Sequence, residues 1–70
     1  MTIEEILSMG GVGGVKVRNV KIPCAFSGGL RTAYRVSILD SDGYQICEAV
    51  SVNMARAVEM AADVLVETCA

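Results

Sequence analysis

The first apolar positions recur with the period of a short helix. In "TIEEIL", Thr2 stands three residues before Glu5, which is the spacing of a capping box, where each side chain satisfies a backbone N–H group of the first turn. The apolar positions at i, i+3 and i+4 form one stripe: Ile3, Ile6 and Leu7. The pattern predicts a helix over about residues 3–9, ended by the glycines that follow.

The next stretch, "VKVRNVKIPCAF", alternates with the period of a strand. Apolar residues occupy one phase before Asn19 and the other phase after it: Val15 and Val17, then Val20, Ile22, Cys24 and Phe26. We expect a β-bulge at Asn19 to absorb the change of phase. Pro23 has no N–H group to donate to a neighbouring strand, so the stretch should be an edge strand. The "SGG" at 27–29 predicts a turn.

Two more strands follow. "RTAYRVSIL" alternates, with Tyr34, Val36 and Ile38 on one face and Ala33, Arg35 and Ser37 on the other. "DSDG" at 40–43 predicts a hairpin turn, and "YQICEAVSV" predicts the third strand. The facing of this strand stays open, because Ile46 and Val50 compete with Cys47 and Ala49 for the buried side.

The longest helical pattern is "NMARAVEMAADVLVETCA". Ser51 or Asn53 caps it. The predicted buried side comprises Met54, Ala57, Val58, Ala61, Leu65 and Cys69, and the predicted wet side Arg56, Glu59, Asp63 and Glu67. The sequence therefore predicts one α+β domain over residues 1–70. Its order is α-β-β-β-α, with a three-stranded antiparallel sheet and two helices packed on one face.

The glycine run "GGVGG" at 10–14 raises the question of a phosphate-binding loop. A dinucleotide loop needs G-x-G-x-x-G between a strand and a helix. Here Lys16 stands at the third glycine position, and the run follows a helix instead of preceding one. A helix C-terminus presents carbonyl groups, which repel anions. We interpret the run as a flexible cap and connector, and expect no bound cofactor.

Charge is segregated along the chain. Net charge is −2, yet residues 6–39 contain no acid and five of the six basic residues. Four of these should share the outward side of the first two strands, which we call the basic face: Lys16, Arg18, Arg31 and Arg35. It is either an anion-binding surface for nucleic acid or an acidic protein, or a solvated sheet face, or a set of cations that pair internally with the acids of the chain's ends. No aromatic residue is interleaved for base stacking, which argues against single-stranded nucleic acid.

Three carboxylates of the last helix recur at i, i+4 and i+8: Glu59, Asp63 and Glu67, the acidic stripe. Like charges at this spacing destabilise a helix slightly. The stripe is either a solvated face or a contact for a basic partner. Its pitch of roughly 6 Å resembles the spacing of a phosphate backbone.

Catalytic chemistry has little support. The chain has no histidine, and its three cysteines lie in apolar patterns without metal-ligand spacing. We therefore predict no enzyme, no metal site and no catalytic residue. The lack of an N-terminal signal pattern and of a long apolar run favours a cytoplasmic protein without a membrane contact.

The α-β-β-β-α order over about seventy residues resembles the double-stranded RNA-binding domain. The packing pattern of that family's last helix is present as Ala57, Ala61 and Ala62. The family's phosphate-binding lysine cluster has only Arg56 at the matching stretch, "VNMARAVEMAA". The resemblance implies a nucleic-acid-binding module that uses Arg56 and the basic residues of the strands.

In size, acidity and lack of catalytic motifs the chain is similar in type to small phage proteins that block bacterial immunity, including anti-CRISPR proteins. Some of these occupy the nucleic-acid-binding surface of their target by displaying carboxylates. Our leading hypothesis is thus a non-enzymatic inhibitor that binds a protein partner, such as a nucleic-acid-binding effector. A nucleic-acid partner is the alternative. The high apolar content also suits a homodimer or a bound complex.

Overall fold

The computed structural model describes residues 2–26 and 28–69. Five elements follow one another: α1 (Ile3–Leu7), β1 (Val12–Pro23), β2 (Leu30–Asp40), β3 (Gln45–Ser51) and α2 (Met54–Cys69). The strands form an antiparallel sheet in the order β1-β2-β3. This confirms the α+β class and the predicted order, which is compatible with the topology of a double-stranded RNA-binding domain.

Helix α1 begins with the predicted capping box. The Thr2 hydroxyl accepts from the Glu5 backbone N–H at 3.2 Å, and the Glu5 carboxylate accepts from the Thr2 N–H at 3.1 Å. The bond from the Thr2 backbone lowers the pKa of Glu5. The helix ends at Leu7 and is therefore shorter than predicted, with Ser8 as its C-cap. Of the predicted stripe, Ile6 is buried and Ile3 packs partly against the core, but Leu7, the last residue of the helix, is exposed.

Strand β1 is an edge strand, as Pro23 predicted, but the expected bulge at Asn19 is wrong. Arg18 pairs with Arg35, Asn19 with Tyr34 and Val20 with Ala33 in one unbroken register. The register shift lies earlier, at Gly13, between the Val12 and Gly14 pairs. No bulge therefore returns the apolar residues after Asn19 to the side of β1 that Val15 and Val17 occupy. Val20 therefore lies on the same side of β1 as Lys16 and Arg18.

Gly13 is needed because the backbones of two segments meet there. A Cβ atom at this position would overlap the carbonyl group of Asp40 and lie 2.7 Å from the Cα of Ser41. Gly14 likewise belongs to β1 and has open space around its Cα. The interpretation of the whole run as a connector is thus wrong for its second half, which is strand.

The turn between β2 and β3 is organised by Asp40. One of its carboxylate oxygens accepts from the backbone N–H groups of Asp42 and Tyr44, both at 2.9 Å. Gly43 adopts a φ of 90°, which side-chain-bearing residues rarely adopt. The predicted hairpin turn is confirmed. The register then slips by one residue at Ile46, between the Ile38–Cys47 and Leu39–Gln45 pairs.

The core lies between the two helices and one face of the sheet. Its buried members are Ile6, Val36, Ile38, Cys47, Ala49, Ala57, Val58, Ala61, Ala62 and Leu65. For the open question about β3, Cys47 and Ala49 face the helices and Val50 is exposed, while Ile46, at the register slip, also packs against the core. Asn53 caps α2 by accepting from the Arg56 N–H at 3.2 Å.

Two predicted members of the buried side of α2 do not join this core. Met54 is 46% exposed, because it lies in the first turn, where α2 has only begun to cover the sheet. The side chain of Cys69 lies outside the described part of the structure, as does Ser27 of the predicted "SGG" turn.

Candidate partner-binding surfaces

The basic face lies on the side of the sheet opposite the helices. Lys16 pairs with Ser37, and Arg18 pairs with Arg35, so these side chains leave the sheet on one side. The core side of the same strand pair carries Val36 and Ile38. Alternation thus brings Lys16, Arg18 and Arg35 together where neither helix covers them.

One carboxylate reaches this group of cations. Glu48 of β3 contacts Arg35 through a 2.6 Å ion pair, and the Arg35 Nε donates to the same Glu48 oxygen at 2.7 Å. Both side chains are partly exposed, at 45% and 36%. Within the described residues, Lys16 and Arg18 form no ion pair within 4 Å. The face therefore keeps a surplus of positive charge.

The sheet is concave at this point. A depression of about 310 Å³ is lined by Lys16, Arg18, Arg35, Ser37, Leu39, Gly43 and Gln45. Its cations stand at one end, and Ser37 and Gln45 add hydroxyl and amide groups that can donate to an anion. Guanidinium groups bind carboxylates and phosphates through paired hydrogen bonds, so the depression can hold such oxygens.

The fourth predicted member of the basic face stands apart. Arg31 pairs with Ile22 and lies four residues from Arg35 along β2, which corresponds to about 14 Å. Lys21 points to the other side of the sheet, where its Nζ donates to the Thr32 hydroxyl at 2.5 Å. The predicted cluster of four is thus a group of three cations with a separate arginine further along the hairpin.

Sequence reasoning missed an apolar component of the basic face. Val20 and Ile22 lie on the same side as Arg18 and are half-buried, and Ala33, opposite Val20, is fully buried. The signal was the change of phase at Asn19, which we interpreted as a bulge. The face therefore combines cations with a short apolar strip.

The acidic stripe lies on the opposite side of the molecule. Glu59, Asp63 and Glu67 are all exposed on the side of α2 that points away from the sheet. They form no ion pair within 4 Å with the described residues. Met60 and Val64, each 40% exposed, flank the stripe. Acidic and basic surfaces are thus separated by the core.

Reactive groups are not assembled in the described chain. Cys47 is buried, and its thiol donates to the Ala61 carbonyl at 3.5 Å. Within residues 2–26 and 28–69, no group of three cysteine, aspartate or glutamate side chains is placed to hold a metal ion. A groove between the helices is lined by Thr2, Ile3, Ala55, Val58 and Glu59, with one carboxylate among them.

Neither of the two described helices has the length and apolar character needed to cross a membrane. No family model, curated protein or solved structure matches this chain.

Proposed function

We propose that this protein is a non-enzymatic binding protein that acts by covering a surface of another macromolecule. Its contact is the basic face, and its partner is anionic. Nucleic acid is the partner that we favour, because the guanidinium groups of Arg18 and Arg35 suit phosphate oxygens. Such a partner is met in the cytoplasm, which is the location we propose.

The observation that carries this proposal is the opposition of Arg18 and Arg35 across β1 and β2. Like charges directly opposite each other destabilise a sheet. Glu48 neutralises the charge of Arg35 through an ion pair but forms no ion pair with Arg18. An anion seated in the depression beside them would neutralise both arginines together with Lys16. This arrangement supports binding through the sheet, whereas a double-stranded RNA-binding domain would use the start of α2.

A second candidate function rests on the acidic stripe. Its three carboxylates are flanked by exposed Met60 and Val64, and methionine is enriched in protein interfaces. The protein would then act as an inhibitor of the anti-CRISPR type and occupy a basic surface of a nucleic-acid-binding effector. Replacing all three carboxylates with alanine should abolish capture of such an effector from a nuclease-treated cytosol.

The experiment for the favoured function measures retention on immobilised heparin, an anionic polymer. The wild-type protein should elute at a higher salt concentration than the Arg18→Gln/Arg35→Gln variant. Arg56→Gln is the control, because Arg56 is an exposed cation at the start of α2. Equal elution of the wild type and the double variant would overturn the proposal. Weaker retention of Arg56→Gln alone would instead support the RNA-binding-domain mode.

A further inference from the structure

The β1–β2 hairpin extends past the rest of the sheet. Ser51, the last residue of β3, pairs with Tyr34, so residues 20–23 and 30–33 pair only with each other. We call these residues, with the described turn residues 24–26 and 28–29, the hairpin arm. None of them belongs to the core cluster under the helices, and Ala33 is the one fully buried residue among them. The molecule measures 42 × 20 × 19 Å accordingly.

The hairpin arm carries two exposed apolar side chains at its tip. Phe26, the one phenylalanine of the chain, is 100% exposed, and Leu30 is 71% exposed. The turn that carries Phe26 is closed by backbone hydrogen bonds, from the Cys24 N–H to Gly29 at 2.8 Å and from the Gly28 N–H to Cys24 at 3.0 Å. These two bonds hold the described residues on either side of the tip together, next to Phe26.

Cations surround the apolar tip, and the hairpin arm has no acid. Arg31 lies on one side of the ribbon and Lys21 on the other, since they occupy opposite alternation phases. Arg18 and Arg35 stand at its base. A two-stranded ribbon with cations on both sides can contact the two phosphate rows that border a groove of a nucleic-acid duplex.

We propose that the hairpin arm binds in the major groove of duplex DNA and that Phe26 contacts the bases there. This inference rests on the proposed function and names its partner. The major groove of B-form DNA is about 12 Å wide and about 8.5 Å deep, and it admits a two-stranded ribbon. Four residue pairs project about 14 Å, which is enough to reach its floor.

The chemistry of the tip selects DNA over RNA. In the major groove, phenylalanine makes apolar contacts with the C5-methyl group of thymine. RNA carries uracil, without that methyl group, and its A-form major groove is too narrow and deep for side chains to read. A duplex rich in A·T pairs is therefore the ligand that Phe26 fits.

The test compares the affinity of the wild type and of Phe26→Ala for three fluorescent duplexes of 20 base pairs. The first is A·T-rich DNA, the second is the same DNA with deoxyuridine in place of every thymidine, and the third is RNA of the same sequence. Phe26→Ala should weaken binding to the thymine duplex about tenfold, the effect of removing a buried aromatic contact. Tyr44→Ala is the matched control, because Tyr44 is 74% exposed at the other end of the sheet. Unchanged thermal unfolding verifies that both variants fold.

Removing the thymine methyl groups should weaken wild-type binding about threefold and leave Phe26→Ala unaffected. Equal or tighter binding of the RNA duplex would overturn the proposal. Binding that is lost in Arg18→Gln/Arg35→Gln but unchanged in Phe26→Ala would refute the role of the arm and leave the proposed function standing. Absence of binding to every nucleic acid and to heparin would refute both.

Discussion

Arg18 and Arg35 lie directly opposite each other in the β1–β2 ladder, on the sheet face that neither described helix covers. Glu48 compensates Arg35, and Arg18 has no ion pair within the described residues. A neutral residue at position 18 would remove the repulsion and keep the Arg35–Glu48 ion pair, so stability alone does not favour Arg18. The opposed arginines are therefore the feature that a binding function explains best.

Replacing Arg18 with glutamine should stabilise the folded protein. The change removes a repulsion between like charges, and the free energy of unfolding should rise by at most about 1 kcal/mol, the size of cross-strand pair effects. The gain should shrink in 1 M salt, which screens exposed charges beyond about 3 Å. Urea unfolding of the wild type and the variant at low and high salt measures the gain under each condition. A destabilised Arg18→Gln variant would show that Arg18 contributes to the fold and would remove the stability argument for a binding role.

Replacing Glu48 with glutamine should strengthen retention on heparin. The variant leaves Arg35 uncompensated, so the charge surplus of the basic face rises, while stability changes little because exposed ion pairs contribute about 0–1 kcal/mol. Glu59→Gln removes an equal charge from the opposite side of the molecule and is the control. If both variants shift elution equally, net charge and not the basic face governs retention.

Gly13→Ala should destabilise the protein by about 1–3 kcal/mol, the usual result of forcing extra atoms into a filled space. The added methyl group would overlap the Asp40 carbonyl, so β1 would have to move away from the turn between β2 and β3. Gly14 has open space for the added methyl group, so the free energy of unfolding of Gly14→Ala should lie within about 1 kcal/mol of the wild-type value. Thermal unfolding compares the two. Equal losses would show that the close approach at Gly13 is absent in solution.

The capping box should make stability depend on pH through Glu5. Its pKa is lowered in the folded state by the bond from Thr2, so the ionised carboxylate favours folding. This contribution is complete above the unfolded pKa of about 4.3 and is lost as pH falls through the folded value. The stability advantage of wild type over Glu5→Gln should therefore be present at pH 7 and absent at about pH 2, as followed by urea unfolding. An advantage that persists at low pH would contradict this linkage.

Local signals explain why so much of the fold could be predicted. The pairing of Thr2 with Glu5, the Asn53 cap and the turn organised by Asp40 each act within four residues. Such interactions depend little on the rest of the chain. The order of elements follows from them together with the two hydrophobic periods.

The phase change at Asn19 shows where sequence reasoning fails. A bulge would be required if a core lay against Val20 and Ile22. However, β3 ends at Ser51, and the core does not extend to this part of β1. Nothing then forces these side chains to the helix side, and the regular ladder persists. The extent of the neighbouring elements is a tertiary property that alternation along one strand does not contain.

The candidate site could be predicted only in part, because some of its contacts also depend on tertiary structure. Alternation and a hairpin suffice to put Lys16, Arg18 and Arg35 on one side. The separation of Arg31 and the partnership of Glu48 with Arg35 depend on strand register, which the turn and the irregularity at Ile46 determine. The exposure of Phe26 depends on how far the hairpin outruns β3.

The most direct test of the central claim is the salt dependence of binding to an A·T-rich DNA duplex, followed by fluorescence anisotropy. For the wild type, the logarithm of the association constant should fall linearly with the logarithm of salt concentration. Arg18→Gln/Arg35→Gln should reduce that slope by about two, one for each lost phosphate contact, and Arg56→Gln should leave it unchanged. A slope that responds to Arg56→Gln and not to the double variant would contradict binding through the basic face.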